Sequence, residues 1–244
     1  MRLGVFADVH GNLPALEAVL ADMRRRAVDA AVNLGDLVSG PLWPRETLAV
    51  LREGGVPALR GNHDRWVSEG GEGASDRHAI AALDAESIAW LGALPVRLEP
   101  APGVLAFHAC PEDDNAYLLE DVRDGRLVPA PAALVAARLG EVAAGLVLCA
   151  HSHLAGLRVL PDGRHVLNPG SVGCPAYADP TAPAHVSEAG SPVARYAVVE
   201  IAEGLLRAAE MIALPYDHEA AARRAEANGR PDWAHALRHG AMPG

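Results

Sequence analysis

The sequence predicts an α/β fold in which helices and sheets pack in layers. Short apolar or β-branched runs alternate with longer segments whose apolar residues recur at helical spacing, and this alternation is typical of layered α/β proteins. Half of the 244 residues are hydrophobic, which is enough to bury a sizeable core. Five apolar runs stand out as predicted strands, over residues 3–7, 30–34, 56–59, 104–107 and 146–150.

The helices are predicted between these runs. Asn12 can cap a first helix, because Leu16 and Met23 continue an apolar face at helical spacing and Pro14 lies in the opening turn, where proline is tolerated. Further helices are predicted over residues 46–52, from Asp84 onward and from Pro131 onward.

The pattern becomes less regular after residue 156. Two short apolar runs joined by a turn at residues 161–163 predict a β-hairpin over 156–167. Residues 179–193 contain three prolines, and we predict a flexible surface loop there, followed by a last strand over 195–201. Two short helices are expected near 217–239. Because no repeat or linker interrupts the chain, we expect a single domain over residues 1–244.

The basic residues are few and of one type. The chain has 21 basic and 31 acidic residues, a net charge of −10, and every basic residue is arginine. Mechanisms that need a lysine, such as Schiff-base chemistry or a phosphate-binding Gly-Lys-Ser/Thr loop, are therefore excluded. The acidic balance and the 4% of aromatic residues also argue against a nucleic-acid partner. We expect a small-molecule partner instead.

No segment of the sequence resembles a membrane anchor or a signal peptide. The longest apolar run is far shorter than the roughly 20 residues that cross a bilayer, so we expect no membrane contact. Cys110, Cys149 and Cys174 are odd in number and lack paired spacing, so neither a disulfide framework nor a zinc knuckle is indicated. We predict a cytoplasmic protein with reduced cysteines; nothing in the sequence fixes its oligomeric state.

Metal-binding side chains follow each of the five predicted strands. In open α/β sheets the carboxyl ends of the strands share one edge, and ligands bind there. Residues from five separate segments can therefore converge on one site. The residues are Asp8, His10, Asp36, Asn62, His63, His108, His151 and His153.

This set of oxygen and nitrogen ligands is too large for one ion but suits two ions that share a ligand. Two-metal sites clamp the attacking and leaving oxygens of a phosphoryl displacement. A carboxylate is the natural bridge because its two oxygens can reach both ions and its charge offsets their repulsion. Asp36 is our candidate for that bridge, since it lies alone on a Gly-Asp turn midway through the set.

The order of these motifs resembles the signature of the calcineurin-like metallophosphoesterase superfamily. The segments around Asp8-Val9-His10-Gly11-Asn12 and Asn168-Pro169-Gly170-Ser171 are similar to the small bacterial and archaeal phosphodiesterases of the YfcE type. The resemblance implies a four-layer α/β/β/α sandwich with two mixed β-sheets and a dimetal site at one edge. The motifs that carry it are Asp8-x-His10, Gly35-Asp36, Gly61-Asn62-His63-Asp64, His108 and His151-x-His153.

The resemblance also implies roles for these residues. Asn62 would bind phosphate as well as metal, and His63 would act as general acid or electrostatic stabiliser for the leaving group. Asp64 would either orient the His63 ring or face away from it. One metal ion would be held by Asp8, His10, Asp36 and His153, and the other by Asp36, Asn62, His108 and His151.

The expected reaction is hydrolysis of a small phosphodiester or phosphomonoester. A water bound between the two ions would have its pKa lowered toward about 7, so that hydroxide attacks phosphorus directly. Mn²⁺ is our first choice of metal, and Fe²⁺, Zn²⁺, Co²⁺ and Ni²⁺ suit the same ligands. For substrate contacts, Arg65, Arg77 and residues 110–117 are candidates, although both arginines equally fit a solvated surface.

Two other functions fit parts of this pattern. A nuclease of the same superfamily would share the metal site, but the charge of −10 and the missing lysines weigh against it. A noncatalytic protein-binding scaffold would keep the fold and lose ligands or the catalytic histidine. Asn62, His63 and all the other motif positions are present here.

Overall fold

The computed structural model describes residues 1–244 and contains thirteen strands and eight helices. The strands are β1 (Arg2–Phe6), β2 (Ala30–Asn33), β3 (Arg97–Ala101), β4 (Val104–Phe107), β5 (Glu120–Arg123), β6 (Arg126–Pro129), β7 (Leu146–Leu148), β8 (Gly156–Val159), β9 (His165–Asn168), β10 (Ala176–Asp179), β11 (His185–Glu188), β12 (Ala194–Ala202) and β13 (Leu205–Leu214). The helices are α1 (Leu13–Arg25), α2 (Pro44–Gly54), α3 (Asn62–Glu69), α4 (Ala74–Ala82), α5 (Ala85–Gly92), α6 (Ala132–Leu139), α7 (His218–Ala227) and α8 (Pro231–His239).

The strands form three mixed sheets. The first has the order β13-β12-β1-β2, with β1 and β2 parallel, and the second has the order β3-β4-β7-β9-β8, with β4, β7 and β9 parallel. The third sheet has the order β10-β11-β6-β5. Because the parallel pairs end at the same side of their sheets, the turns after β1, β2, β4 and β7 lie at one edge.

The first and second sheets pack face to face between outer layers of helices. On β1, Leu3 and Val5 point into the core between the sheets, whereas Phe6 belongs to the core under α1 and α2. On β7, Leu148 faces the first sheet, and Val147 packs with residues of α6 on the other side. This alternation gives four layers, so the predicted α/β/β/α sandwich is confirmed; the third sheet is an addition that was not predicted.

Several predicted elements differ from the structure. Residues 56–59 form only a single parallel bridge between Asn33 and Ala58, because Pro57 lacks the N–H that a longer ladder would need. Strand β11 lies inside residues 179–193, where we expected a loop, and pairs with β10 and β6. Strand β12 is not the last, since a turn at Glu203 and Gly204, both with positive φ, leads into β13.

The C-terminal helices lie where residues 217–239 were expected to be helical. Helices α7 and α8 pack on each other through small side chains and enclose Leu42 in a separate apolar cluster. Asp217 caps α7 by accepting from the Ala220 N–H at 2.9 Å. The first turn of α8 lies at the edge of the sandwich where the turns after β1, β2, β4 and β7 meet. None of the eight helices is long and apolar enough to cross a bilayer.

Candidate metal centre

The predicted ligands lie on turns with an unusual backbone conformation. Eight residues other than glycine have a positive φ, and five of them are predicted ligands. This left-handed conformation costs conformational energy for L-residues. Its concentration at one edge therefore indicates a site where the positions of the side chains are functionally constrained. The five residues are Asp8, His10, Asp36, His151 and His153.

Two of the turns touch through their glycines. A Cβ on Gly61 would lie 2.1 Å from Asp36 Oδ1, and a Cβ on Gly35 would lie 2.6 Å from the Gly61 nitrogen. Asp64 joins the same turns, because its buried carboxylate accepts the N–H groups of Asp36, Leu37 and Gly61 at 2.8–3.0 Å. Asp64 therefore connects the two turns through these hydrogen bonds, and the alternative in which it orients the His63 ring is wrong.

Asp8, His10 and His153 form the first group of possible ligands. All three residues are buried, and their ligand atoms lie within 4.8 Å of one another. The Nδ1–H of His10 donates to Ser39 O at 2.7 Å, and that of His153 donates to Cys174 O at 2.8 Å. Both Nε2 atoms then carry lone pairs, and these face each other at 3.1 Å.

Asp8, Asp36 and His108 form the second group within the same distance limit. Asp36 Oδ1 accepts the backbone N–H of His63 at 3.0 Å, whereas Oδ2 lies 3.7 Å from His10 Nε2 and 3.5 Å from His108 Nε2. One oxygen of Asp36 therefore faces both groups, where we had expected its two oxygens to be divided between two ions. Asp8 also belongs to both groups.

Asn62 and His151 lie beside the second group, and His151 has no ligand atom within the distance limit of either group. Asn62 Oδ1 lies 2.9 Å from His108 Nε2, while its amide N–H donates to Asn115 Oδ1 at 3.1 Å. His151 lies beside His108, with ring centroids 5.4 Å apart, but its Nε2 contacts Asn115 O at 3.0 Å. Only Nδ1 of His151 is left free to face a metal.

A cation fits this arrangement of atoms. Both carboxylate oxygens of Asp8 are buried and have no hydrogen-bond partner, which is costly for a charged group. Burial lowers the pKa of His10 to about 4 and that of His151 to about 3, so these imidazoles are neutral and can donate lone pairs at neutral pH. The ligand atoms of Asp8, His10 and His153 are therefore acceptors with no donor among them, which is what a divalent cation requires. In the second group the carboxylate of Asp36 outweighs burial and raises the pKa of His108 to about 10.

His63 lies next to the cluster and is oriented by Asp76. Its Nδ1–H donates to Asp76 Oδ1 at 2.8 Å, and Ser39 Oγ donates to the same oxygen at 2.6 Å. Burial alone would lower the pKa of His63, but the carboxylates of Asp36 and Asp76 outweigh it and raise that pKa above its ordinary value. Sequence reasoning missed Asp76 because it lies on α4, which was not predicted.

A cavity of about 590 Å³ opens over the cluster. Arg65 does not line it, since its guanidinium makes two hydrogen bonds to Asp114 at 2.7 and 2.8 Å. Arg77 does not line it either and bonds to Glu72 O. From residues 110–117 only Asn115 and Tyr117 reach the cavity. The lining residues that sequence reasoning missed are Ser39, Trp66, Gly73, Ala74, Ser75, Asp76, Cys174, Tyr177, Ala178, Asp179, Pro180, Thr181, Arg230 and Trp233.

Part of this lining was open to prediction. Trp66 follows His63 by three residues, so a predicted helix over α3 would have placed both side chains on one face. Trp233 lies on a helix that was predicted, and Arg230 directly precedes that helix. Nothing in the sequence indicates that α8 packs beside the turn carrying His10.

The chain matches the model of a known protein family. The calcineurin-like phosphoesterase superfamily domain matches residues 1–189, which is well over half of the chain. The chain therefore belongs to the calcineurin-like phosphoesterase superfamily, and the predicted membership is confirmed.

Three relatives show how far the similarity extends. The uncharacterized protein MJ0912 of Methanocaldococcus jannaschii is 28% identical over 200 residues, which cover 71% of this chain and 76% of that protein. A metallophosphoesterase from Sphaerobacter thermophilus shares the fold, with a TM-score of 0.75, 24% identity and coverage of 98% and 100% of the two chains. Yfce, a phosphoesterase from E. coli, aligns with a TM-score of 0.44, 21% identity and coverage of 88% and 100%.

The contact between the two glycine turns predicts the effect of Gly61→Ala. The new Cβ would clash with the Asp36 carboxylate, so we expect Mn²⁺ affinity, measured by calorimetry, to fall at least about tenfold. Gly54→Ala is the matched control, because nothing lies within 4 Å of its Cβ. Unchanged Mn²⁺ affinity in a folded Gly61→Ala protein would contradict the assignment of Asp36 to the metal centre.

Proposed function

We propose that the protein is a metal-dependent hydrolase of a small phosphodiester or phosphomonoester. The observation that carries this proposal is the buried group Asp8, His10 and His153, whose ligand atoms have no donor among them. This group lies next to a histidine held by a carboxylate. Membership of the phosphoesterase superfamily supports the same reaction class.

Two divalent cations are the proposed cofactor, with Mn²⁺ as first choice and Fe²⁺, Zn²⁺, Co²⁺ or Ni²⁺ as alternatives. Asp36 and Asp8 face both groups of ligand atoms and are the candidates for shared ligands. When bound, such ions neutralise phosphate oxygens and lower the pKa of water to the neutral range. The proposed ligands are Asp8, His10, Asp36, Asn62, His108, His151 and His153.

The proposed proton donor to the leaving group is His63. Its Nδ1–H is held by Asp76, and its side chain is 28% exposed at the cavity, so Nε2 is the atom available to a substrate. The carboxylates of Asp36 and Asp76 raise the pKa of His63, which favours the protonated ring that a general acid needs. Asn62 can turn its amide N–H from Asn115 to a phosphate oxygen.

The cavity suits a small substrate. About 590 Å³ is the volume of a site for a single small molecule, and Arg230 is its only arginine. A long polyanionic strand would find few cationic contacts there, which disfavours the nuclease alternative. The three cysteines form no disulfide, in keeping with the cytoplasmic location that we propose.

The first test is metal dependence. After treatment with a chelator, the protein should not hydrolyse bis-p-nitrophenyl phosphate at pH 7, and Mn²⁺ should restore turnover. Asp36→Asn should lose at least about a hundredfold in kcat, because it removes the charge facing both ligand groups. Turnover that survives the chelator, or that Asp36→Asn retains, would contradict the proposal. No turnover with any divalent ion would favour the scaffold alternative.

A second test separates the roles of His63 and Asp76. We expect His63→Gln to lower kcat by roughly 10²–10⁴-fold for an ester with a poor alkoxide leaving group and much less for one releasing p-nitrophenolate, which needs no proton. Asp76→Asn, which acts through His63, should lower kcat by roughly 10–100-fold with the same dependence on the leaving group. Equal losses for both leaving groups would exclude His63 as proton donor, while Glu72→Gln serves as a control for exposed charge.

A further inference from the structure

Aromatic side chains are concentrated around the candidate metal centre. The chain has only four tryptophans, four tyrosines and two phenylalanines. Four of these ten, contributed by four separate segments, line the cavity of about 590 Å³. They are Trp66 on α3, Tyr117 after β4, Tyr177 on β10 and Trp233 on α8.

The two tyrosines are tied into the wall of the cavity. Tyr117 stacks on His151 with ring centroids 4.9 Å apart and an interplanar angle of 25°, and Tyr177 lies edge-on to His153 at 4.7 Å. Their hydroxyl groups are 2.8 Å apart, and the Tyr117 hydroxyl donates to His185 Nε2 at 2.7 Å. These rings support the predicted ligands, so they are not the ones left for a substrate.

The two tryptophans contact two other histidines of the lining. Trp66 is edge-on to His63 at 4.7 Å, and Trp233 is edge-on to His10 at 6.0 Å. His10 and His63 are themselves neighbours, with ring centroids 5.3 Å apart. Both indoles are half-buried, so part of each ring remains exposed beside the proposed reaction centre. The guanidinium groups of Arg65 and Arg230 lie over the Trp66 and Trp233 rings, at 5.7 and 5.9 Å from the ring centroids.

The charges around these indoles do not favour a second anionic group. Arg230 is the only arginine of the lining, and its guanidinium already makes two hydrogen bonds to Asp232 at 3.0 and 2.7 Å and one to Ser75. Asp76 and Asp179 add negative charge to the lining of the cavity. A substrate that extends beyond one phosphate therefore gains more from ring contact than from additional charge.

We propose that Trp66 and Trp233 bind planar aromatic groups of the substrate, which is then an ester with a single phosphate and at least one aryl group or nucleobase. This inference rests on the proposed phosphoesterase function. Because Trp66 lies beside His63, the proposed donor to the leaving group, we assign Trp66 to that group. Trp233, beside His10, is assigned to the group that remains on phosphorus.

The test compares two esters that release the same p-nitrophenolate. One carries thymidine through its 5′-oxygen, and the other carries a methyl group. The metal-loaded wild type should hydrolyse the thymidine ester with a kcat/KM about tenfold higher, the size expected for one stacked ring. Trp233→Ala should lose this preference, because its kcat/KM should fall about tenfold more for the thymidine ester than for the methyl ester, and Trp233→Phe, which retains a ring, should keep most of the preference.

Trp90→Ala is the matched control, because Trp90 lies on α5 outside the cavity. It should keep the wild-type ratio of the two kcat/KM values. A wild type without preference, or a Trp233→Ala variant that loses activity on both esters equally, would overturn the inference.

A binding measurement separates this inference from the proposed function. By calorimetry, the wild type should bind thymidine 5′-monophosphate about tenfold more tightly than methyl phosphate, and Trp233→Ala should bind both alike. If neither ester were hydrolysed but this difference in binding appeared, the phosphoesterase proposal would fail and the aromatic site would stand. Equal binding of the two phosphates by the wild type would overturn the aromatic site.

Discussion

The buried group of Asp8, His10 and His153, whose ligand atoms are hydrogen-bond acceptors with no donor among them, is the constraint on which the rest of this structure depends. The Asp8 carboxylate has no partner, and the lone pairs of His10 and His153 face each other at 3.1 Å. In a buried site such atoms repel one another strongly unless a cation lies between them. The backbone accepts five left-handed residues at this edge, at roughly 1–2 kcal/mol each, to hold the cluster together.

The two halves of the site have different origins in the fold. The cluster comes from turns at the ends of strands in the two central sheets, which are rigid because both faces of those strands are buried. Part of the cavity wall comes from other elements: the third sheet supplies Tyr177, and α8 with the residue before it supplies Trp233 and Arg230. Under the proposed function, the central sheets hold the metal ions and these other elements contribute contacts to the substrate.

Much of the central architecture could be predicted because its signals are local. Strands β1, β2, β4 and β7 appear as short apolar runs, and the polar residue after each run lies where parallel strands end. Asn12 and Asp84 cap their helices as expected. These features depend on a few consecutive residues, so one sequence is enough to reveal them.

The remaining features depend on contacts between distant segments. Strands β5 and β6 are only partly buried, so they lack the apolar alternation that identifies a strand. Asp76 orients His63 from a separate helix, and no spacing rule connects the two residues. Asp64 was the nearer candidate in sequence, but its carboxylate is fully engaged with three backbone N–H groups.

The central claim is that this acceptor cluster holds two divalent cations. Anomalous diffraction at the manganese edge, from crystals grown with Mn²⁺, tests it most directly. We predict two anomalous peaks about 3.5–4 Å apart, one beside Asp8, His10 and His153 and the other beside Asp36, Asn62 and His108. A saturated crystal with no peak at the cluster, or with Mn²⁺ bound only elsewhere, would contradict the account.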